Sequence, residues 1–280
     1  MWPSVGYGLC SNTGSIRELD KCLKNPYWKL VPQCGVIRTG PTAMRSLDRG
    51  FYGVGLPNPV IECMIAQIQS LLMHFGCPSS IGNKLQISTN ALIMELGMSC
   101  QPFLEDYKKY GALVTDSWVK RLWEKVHEYG VKVMLDEGQL EIKPPRERDT
   151  WLMKEFIAMG FNLSQLKLLN KVRVYFQVLF LSDILGASGQ SLDKRYLQRR
   201  LEDEDWSTFK FPLERPSSKA FRLWKQALKQ LVPAGGRLNN LGFVRSAGHK
   251  IWEWRYDSPS RCIYHYYGEK MDVFQATGTW

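Results

Sequence analysis

Glu202-Asp203-Glu204-Asp205 sets four carboxylates in a row, a supply of hard oxygen ligands suited to a divalent cation. Such a run is also what a solvated acidic loop looks like. Lys194, Arg195, Arg199 and Arg200 stand just before it, so charge pairing within the chain is a further reading. His74, His127, His249 and His265 form no His-Glu-x-x-His zinc pattern. Cys262 and His265 lie three apart in an alternating stretch, which puts them on opposite sides of a strand and makes them poor co-ligands. Cys10, Cys22 and Cys34 recur every twelve residues, a spacing that matches no familiar metal site. The glycine-dense stretches at 6–8, 186–189 and 235–236 lack the lysine of a phosphate loop, and no Gly-x-Ser-x-Gly elbow occurs. The expectation is no catalytic residue, no metal and no cofactor.

The basic side chains point to a different chemistry. Lys plus Arg outnumber Asp plus Glu by 37 to 27, a formal charge of +10, which favours polyanionic partners with nucleic acid first among them. Lys194, Arg195, Arg199 and Arg200 gather near one helical end and are suited to neutralising phosphates, with an exposed helix surface as the plain alternative. Lys250, Trp252, Trp254 and Arg255 mix cations with aromatics in one alternating stretch. Trp252, Trp254 and Tyr256 then share a sheet face, as a base-stacking platform requires; an aromatic core face is the competing reading.

The elements that must position these groups are mainly helical. Residues 1–57 are rich in Gly, Pro and Cys, and only Ile16–Leu23 reads as a short helix. Asn58 caps a helix from Pro59 with Ile61, Ile65, Ile68 and Leu72 as its stripe, widened by Met64, Leu71 and Phe75, and Gly76 at its stop. A second runs from about Ser80 to Gly97 with Ile81, Leu85, Leu92, Ile93 and Leu96 inward; Gly82 and Asn83 weaken its first turn. A third starts at Asp116 or Ser117 and ends at Gly130, with Trp118, Leu122 and Val126 on one face. Val131–Leu135 and Leu140–Lys143 flank Asp136-Glu137-Gly138 as a hairpin signal.

Lys143 to Arg148 reads as a linker because paired prolines stop regular structure. Asp149 caps a helix to Met159, Ser164 opens the longest helical pattern, to Leu185, with a strand left open around Val172–Phe180, and a short helix spans Ser191–Arg200. Ser217 or Ser218 starts a helix carrying Phe221, Trp224, Leu228 and Leu231. Ile251–Tyr256, Cys262–Tyr267 and Met271–Phe274 read as three short strands. The expected fold class is α+β, predominantly helical, with a central hairpin and a small C-terminal antiparallel sheet. The expected organisation is a glycine-rich lead-in and helical region over 1–143, a linker over 144–150, a helical connector over 151–235 and a β-rich module over 236–280.

Seven cysteines with no Cys-x-x-Cys pair do not suggest a disulfide framework. Met1–Gly6 lacks the basic start and apolar core of a signal peptide, and the apolar run Val172–Leu185 is too short for a bilayer. An intracellular setting, cytoplasmic or nuclear, with no membrane anchor is the simpler expectation.

Tyr52-Gly53-Val54-Gly55-Leu56-Pro57 resembles the Gly-Gly-x-Gly-Leu/Ile-Pro turn that follows the polymerase palm in non-LTR and related retroelement reverse transcriptases, with Tyr52 in place of the first glycine. Leu19-Asp20-Lys21 and Cys34-Gly35-Val36-Ile37-Arg38 resemble the lead-in, and Leu71 to Gly76 and Ile93 to Gly97 the helix ends of these proteins. Ser117 to Glu124, Phe180 to Leu185 and Lys250 to Arg255 are similar to a connector found between polymerase and RNase H-like regions of some retroelement polyproteins. The blocks are scattered over roughly residues 15–275 and keep their order. Reverse transcriptases hold two Mg²⁺ ions on palm aspartates that include an Asp-Asp turn. No Asp-Asp dipeptide occurs here, so no catalytic residue carries over.

The resemblance implies a non-catalytic thumb and connector that grips an RNA–DNA or primer–template duplex, with the palm of the same polyprotein as a possible partner. A-form duplexes are held mainly by shape and phosphate contacts. Arg38 and Arg45 near the turn then join Lys194, Arg195, Arg199 and Arg200 as expected phosphate contacts, with Trp252 and Trp254 for stacking. The alternative is a structural or protein-interaction protein with no nucleic-acid role.

Overall fold

The periodic segments of the sequence fold as helices, and the protein is predominantly helical. The computed structural model describes residues 8–33, 35, 43–136, 142, 144, 146, 148–185, 192–197 and 215–232. At 9, 23–25, 27, 28, 31, 43, 194 and 195, and in segments 244–245, 252–257, 262–267 and 270–275, the description is of the backbone alone. The chain divides into two compact units, Met1–Leu92 with Gln101–Gln139, and Ile93–Cys100 with Leu140–Trp280.

The first unit opens with α1, Ile16–Gln33. It runs well beyond the short helix expected at 16–23. Its start is set by a reciprocal cap: the Ser15 N–H donates to Glu18 Oε2 at 2.7 Å, and the Glu18 N–H donates to Ser15 Oγ at 3.3 Å. A four-residue helix, α2 (Ala43–Ser46), and a 3-10 turn, Arg49–Phe51, follow. They enclose the glycine turn, whose Val54, Gly55 and Leu56 N–H groups donate to the carbonyls of Met44, Leu47 and Arg45 at 2.8–2.9 Å. Gly55 has φ +69°, whereas Gly53 is needed for space: a Cβ there would lie 2.0 Å from the Leu47 carbonyl oxygen.

Helix α3, Pro59–His74, starts where Asn58 Oδ1 accepts from the Val60 and Ile61 N–H groups. Its buried face is Val60, Cys63, Met64, Gln67 and Leu71. The expected stripe is corrected by this: Ile65 and Leu72 are exposed. Both stripes satisfy the helical period; the one that turns inward carries Gln67, whose buried Nε2 donates to the Asn12 carbonyl at 2.8 Å. Helix α4, Ser80–Leu96, follows a turn so close that a Cβ at Gly82 would meet the Cys77 and His74 carbonyl oxygens at 2.2 and 2.6 Å. Gly82 therefore permits the turn. Ile81, expected inward, is exposed, while Leu92, Ile93 and Leu96 are buried.

After the one-turn helix α5 (Tyr107–Tyr110), α6 (Trp118–Glu128) is capped by Ser117 and buries Val119, Leu122, Trp123 and Val126. The Trp123 indole N–H donates to the Glu105 carbonyl at 3.0 Å, and its ring meets Tyr107 edge-on at 5.1 Å. The stretch 131–136 is irregular, so the first arm of the expected hairpin is not a strand; 137–141 and 143 lie outside the described residues. The polar groups of Leu135 are taken by a side chain instead. Gln101 Nε2 donates to its carbonyl and its N–H donates to Gln101 Oε1, both at 2.8 Å, replacing one rung of a ladder.

In the second unit, α7 (Leu152–Ala158) begins after Trp151. Asp149 does not cap this helix; its carboxylate accepts from the N–H groups of Thr150 and Ser182 and from the Ser182 hydroxyl. Helix α8, Leu163–Tyr175, is opened by a capping box between Asn162 and Gln165. It stops ten residues short of the expected end at Leu185. Gln177, at φ +55°, turns the chain back, and Asp183 Oδ2 accepts the Leu179 and Phe180 N–H groups at 2.8 Å. Helix α9, Ser218–Leu231, is capped by Ser217. Within the helix expected at 191–200 the described residues, 192–197, form the 3-10 turn Lys194–Leu197, and residues 191 and 198–200 lie outside the described residues.

An aromatic cluster joins α8 to α9. Phe176 packs on Phe221 at 6.0 Å and Trp224 at 5.9 Å, and Trp224 packs on Phe156 at 5.7 Å. Among the residues described with side chains, extended pairing is limited to the isolated bridges Trp151 with Phe180 and Leu185 with Leu192. No helix among the described residues is long and apolar enough to cross a membrane.

Candidate nucleic-acid interface

Of the side chains expected to touch nucleic acid, only Arg45 is described in full. It is half-buried in α2, and its carbonyl accepts the Leu56 N–H at 2.8 Å, so its backbone helps close the glycine turn. Arg38, Arg199, Arg200 and Lys250 lie outside the described residues, as does the acidic run 202–205. Lys194 and Arg195 fall in a 3-10 turn, and Trp252, Trp254 and Arg255 in a backbone segment, with no side chain described.

A cationic surface that the sequence reading passed over lies on α9. The inner face, Ala220, Phe221, Trp224, Ala227 and Leu228, is buried, and the Trp224 indole N–H donates to the Tyr196 carbonyl at 3.2 Å. These anchors fix the rotation of the helix. At 100° per residue the opposite side then presents Lys219, Arg222, Gln226 and Lys229, all exposed. Lys225 is half-buried on the flank, and Arg215 is exposed just before the cap.

The helix contains no carboxylate. Among the described residues, no acid pairs with Arg215 or with any of the four cations of α9. Lys219 with Arg222 and Lys225 with Lys229 stand three and four apart, spacings at which like charges repel by about 0.2–0.5 kcal/mol per pair. No acid sits in the first turn, where the helix dipole would favour one. Within the helix itself, then, no acid offsets these charges. The signal was legible in the sequence as an amphipathic helix with no Asp or Glu; attention to runs of adjacent charges missed it.

Helix α8 has the same character. Lys167 and Lys171 are exposed four residues apart, and no acid occurs in the helix. Its third cation has a structural task. Arg173 is fully buried, its Nε donates to Asn170 Oδ1, and its terminal nitrogens donate to the carbonyls of Val178, Met94 and Glu95. Burial pushes its pKa down to about 9, so it remains cationic at neutral pH. Burial also pushes Asp183 up to about 6 despite its two backbone donors.

Among the described residues, no cluster of three or more His, Cys, Asp or Glu is placed to hold a metal ion. Cys10 and Cys22 are exposed, and Cys34 lies outside the described residues. What the arrangement offers is several exposed cations on acid-free helix faces, which is phosphate chemistry. No protein-family model, curated protein or solved structure matches this chain.

Proposed function

We propose that this chain is a non-catalytic nucleic-acid-binding segment that holds a duplex by its phosphates. The observation that supports it is the acid-free outer face of α9, with Lys219, Arg222 and Lys229 exposed and Lys225 on its flank. Lys219 and Lys229 are separated by roughly 15 Å at 1.5 Å per residue, so the row can reach more than one phosphate along a duplex backbone. The aromatic residues of the helix, Phe221 and Trp224, are buried. The face therefore supplies phosphate contacts and no base stacking, the balance suited to a paired partner such as an RNA–DNA or primer–template duplex.

In this reading the chain is the thumb and connector of a retroelement reverse transcriptase, intracellular, acting beside the palm of the same polyprotein. The ordered sequence blocks described above support that assignment. Its C-terminal module is a small antiparallel sheet. Backbone pairing supports that part: Trp252–Asp257 runs against Cys262–Tyr267, which runs against Lys270–Gln275, with Trp254 opposite His265 and His265 opposite Asp272.

A second reading, a protein-interaction role, draws on the apolar outer face of α3, where Leu72 and Met73 are 69% and 68% exposed. Filter binding of the full chain to a duplex across a salt series separates the two. The nucleic-acid reading requires binding at low salt that weakens steeply as salt rises. No binding at low salt, with concentration-dependent self-association instead, favours the second.

A further inference from the structure

Tyr52 is the most exposed large apolar side chain described, at 91%, and it holds a left-handed backbone, φ +61° and ψ 21°. That conformation suits glycine and is uncommon for a bulky residue. A side chain in such a position is usually compensated by packing, yet Tyr52 has almost none. Its neighbour Phe51 is 73% exposed. Neither ring stacks on another aromatic among the described residues.

The turn beneath them is closed by backbone hydrogen bonds. Phe51 and Gly53 N–H groups both donate to the Asp48 carbonyl at 3.0–3.1 Å, and the Tyr52 N–H donates to the Arg49 carbonyl at 3.0 Å. Gly53 lies so close to the Leu47 carbonyl that no side chain fits there. The charges of the turn are cationic on balance. Arg49 is exposed and Arg45 half-exposed, while the carboxylate of Asp48 accepts the Gly50 N–H at 2.7 Å.

We infer that Phe51 and Tyr52 form a base-stacking tip for an unpaired base of a bound nucleic acid, with Arg49 drawing the adjoining phosphate. The inference rests on the nucleic-acid reading above and adds to it the recognition of unpaired bases. Two flat rings on a hydrogen-bonded turn lose little conformational freedom on binding and accept any base, since every base has a π-face. The cationic setting selects a polyanion with flat apolar parts over a neutral apolar surface.

The test uses the full chain and a short duplex carrying a single-stranded overhang with 2-aminopurine in it, beside the same duplex with blunt ends. Wild-type protein changes the 2-aminopurine fluorescence and binds the overhang substrate more tightly than the blunt one. Phe51→Ala with Tyr52→Gly abolishes the fluorescence change and weakens overhang binding about tenfold. Binding of the blunt duplex and its salt slope stay as they were. Tyr52→Gly alone keeps the fold intact and raises Tm by about 2–4 °C, because glycine accepts the left-handed backbone.

Equal fluorescence change and affinity in wild type and the double variant overturn the stacking tip while leaving the phosphate reading in place. Failure of wild type to bind either substrate at low salt overturns both. Loss of self-association or of vesicle binding in the double variant, with overhang binding unchanged, overturns it in favour of a protein or lipid partner.

Discussion

Arg173 and Gly97 occupy each other's space: a Cβ on Gly97 would lie 2.4 Å from Arg173 Cζ. Gly97 ends α4 at φ +62°, and the guanidinium fills the place a side chain would take, donating to the orphan carbonyls of Met94 and Glu95. A helix end that could be wet is thereby closed by a buried cation, which also reaches Asn170 and Val178. One residue thus ties the end of α4 to α8 and to the chain reversal that follows it.

Gly97→Ala is expected to destabilise the second unit by about 2 kcal/mol or more, from the left-handed backbone and the collision together. Arg173→Met is expected to cost about 3–5 kcal/mol, because several buried acceptors lose their donor at once. Urea denaturation followed by a probe in that unit checks both. A smaller loss for Arg173→Met than for Gly97→Ala would mean that water closes the helix end equally well.

The buried carboxyl of Asp183 makes this unit more stable in mild acid. Its folded pKa of about 6 lies above the 3.8 ordinary for an aspartate, so the folded state holds the proton more tightly. The contribution is fully present below about pH 4 and is lost as pH rises through about 6, a change on the order of 3 kcal/mol for this group alone. Asp149, also raised by burial, acts in the same direction, and the Arg173 charge opposes it at Asp183. Denaturation midpoints at pH 5 and pH 7.5 are expected to differ in favour of pH 5, and Asp183→Asn is expected to flatten that difference.

Gly82→Ala sets helix propensity against local geometry. In an open helix it would stabilise by about 1 kcal/mol. Here the new Cβ would collide with the carbonyl oxygens of Cys77 and His74, so a loss of about 2 kcal/mol or more is expected in thermal unfolding of the first unit. A gain would show that the turn between α3 and α4 opens freely.

Replacing Arg222 and Lys229 together by Gln removes two exposed charges without disturbing the buried face of α9. The slope of log Kobs against log salt for a duplex is expected to become shallower by about 2 units, with folding stability changed by less than about 0.5 kcal/mol. An unchanged slope would remove this helix from the interface.

Much of the helical framework was legible because its signals are local. Asn58 with Pro59, Ser117 and Ser217 mark helix starts, and Gly76, Gly97 and Gly130 take the left-handed stop. Faces were harder to read wherever two stripes share one period. On α3 the buried stripe holds Gln67, bonded to the carbonyl of Asn12 55 residues away, and no local pattern carries that contact. At the hairpin signal over 131–135 the backbone N–H and carbonyl of Leu135 are held by the side chain of Gln101, another distant contact that no local pattern carries.

By itself the sequence determined the net charge of +10, the caps, the stops and the helical class, all of which follow from residue type and spacing along the chain. It also held the missing carboxylates of α9. Only the tertiary structure decided which side of that helix is free, because burying Phe221 and Trp224 against Phe156 and Phe176 sets its rotation. Only the tertiary structure set Tyr52 out in solvent on a left-handed turn, where the Tyr52 N–H closes on the Arg49 carbonyl and the Gly53 N–H on that of Asp48. Exposure is a property of what a residue packs against, and that is settled by contacts far apart in the chain.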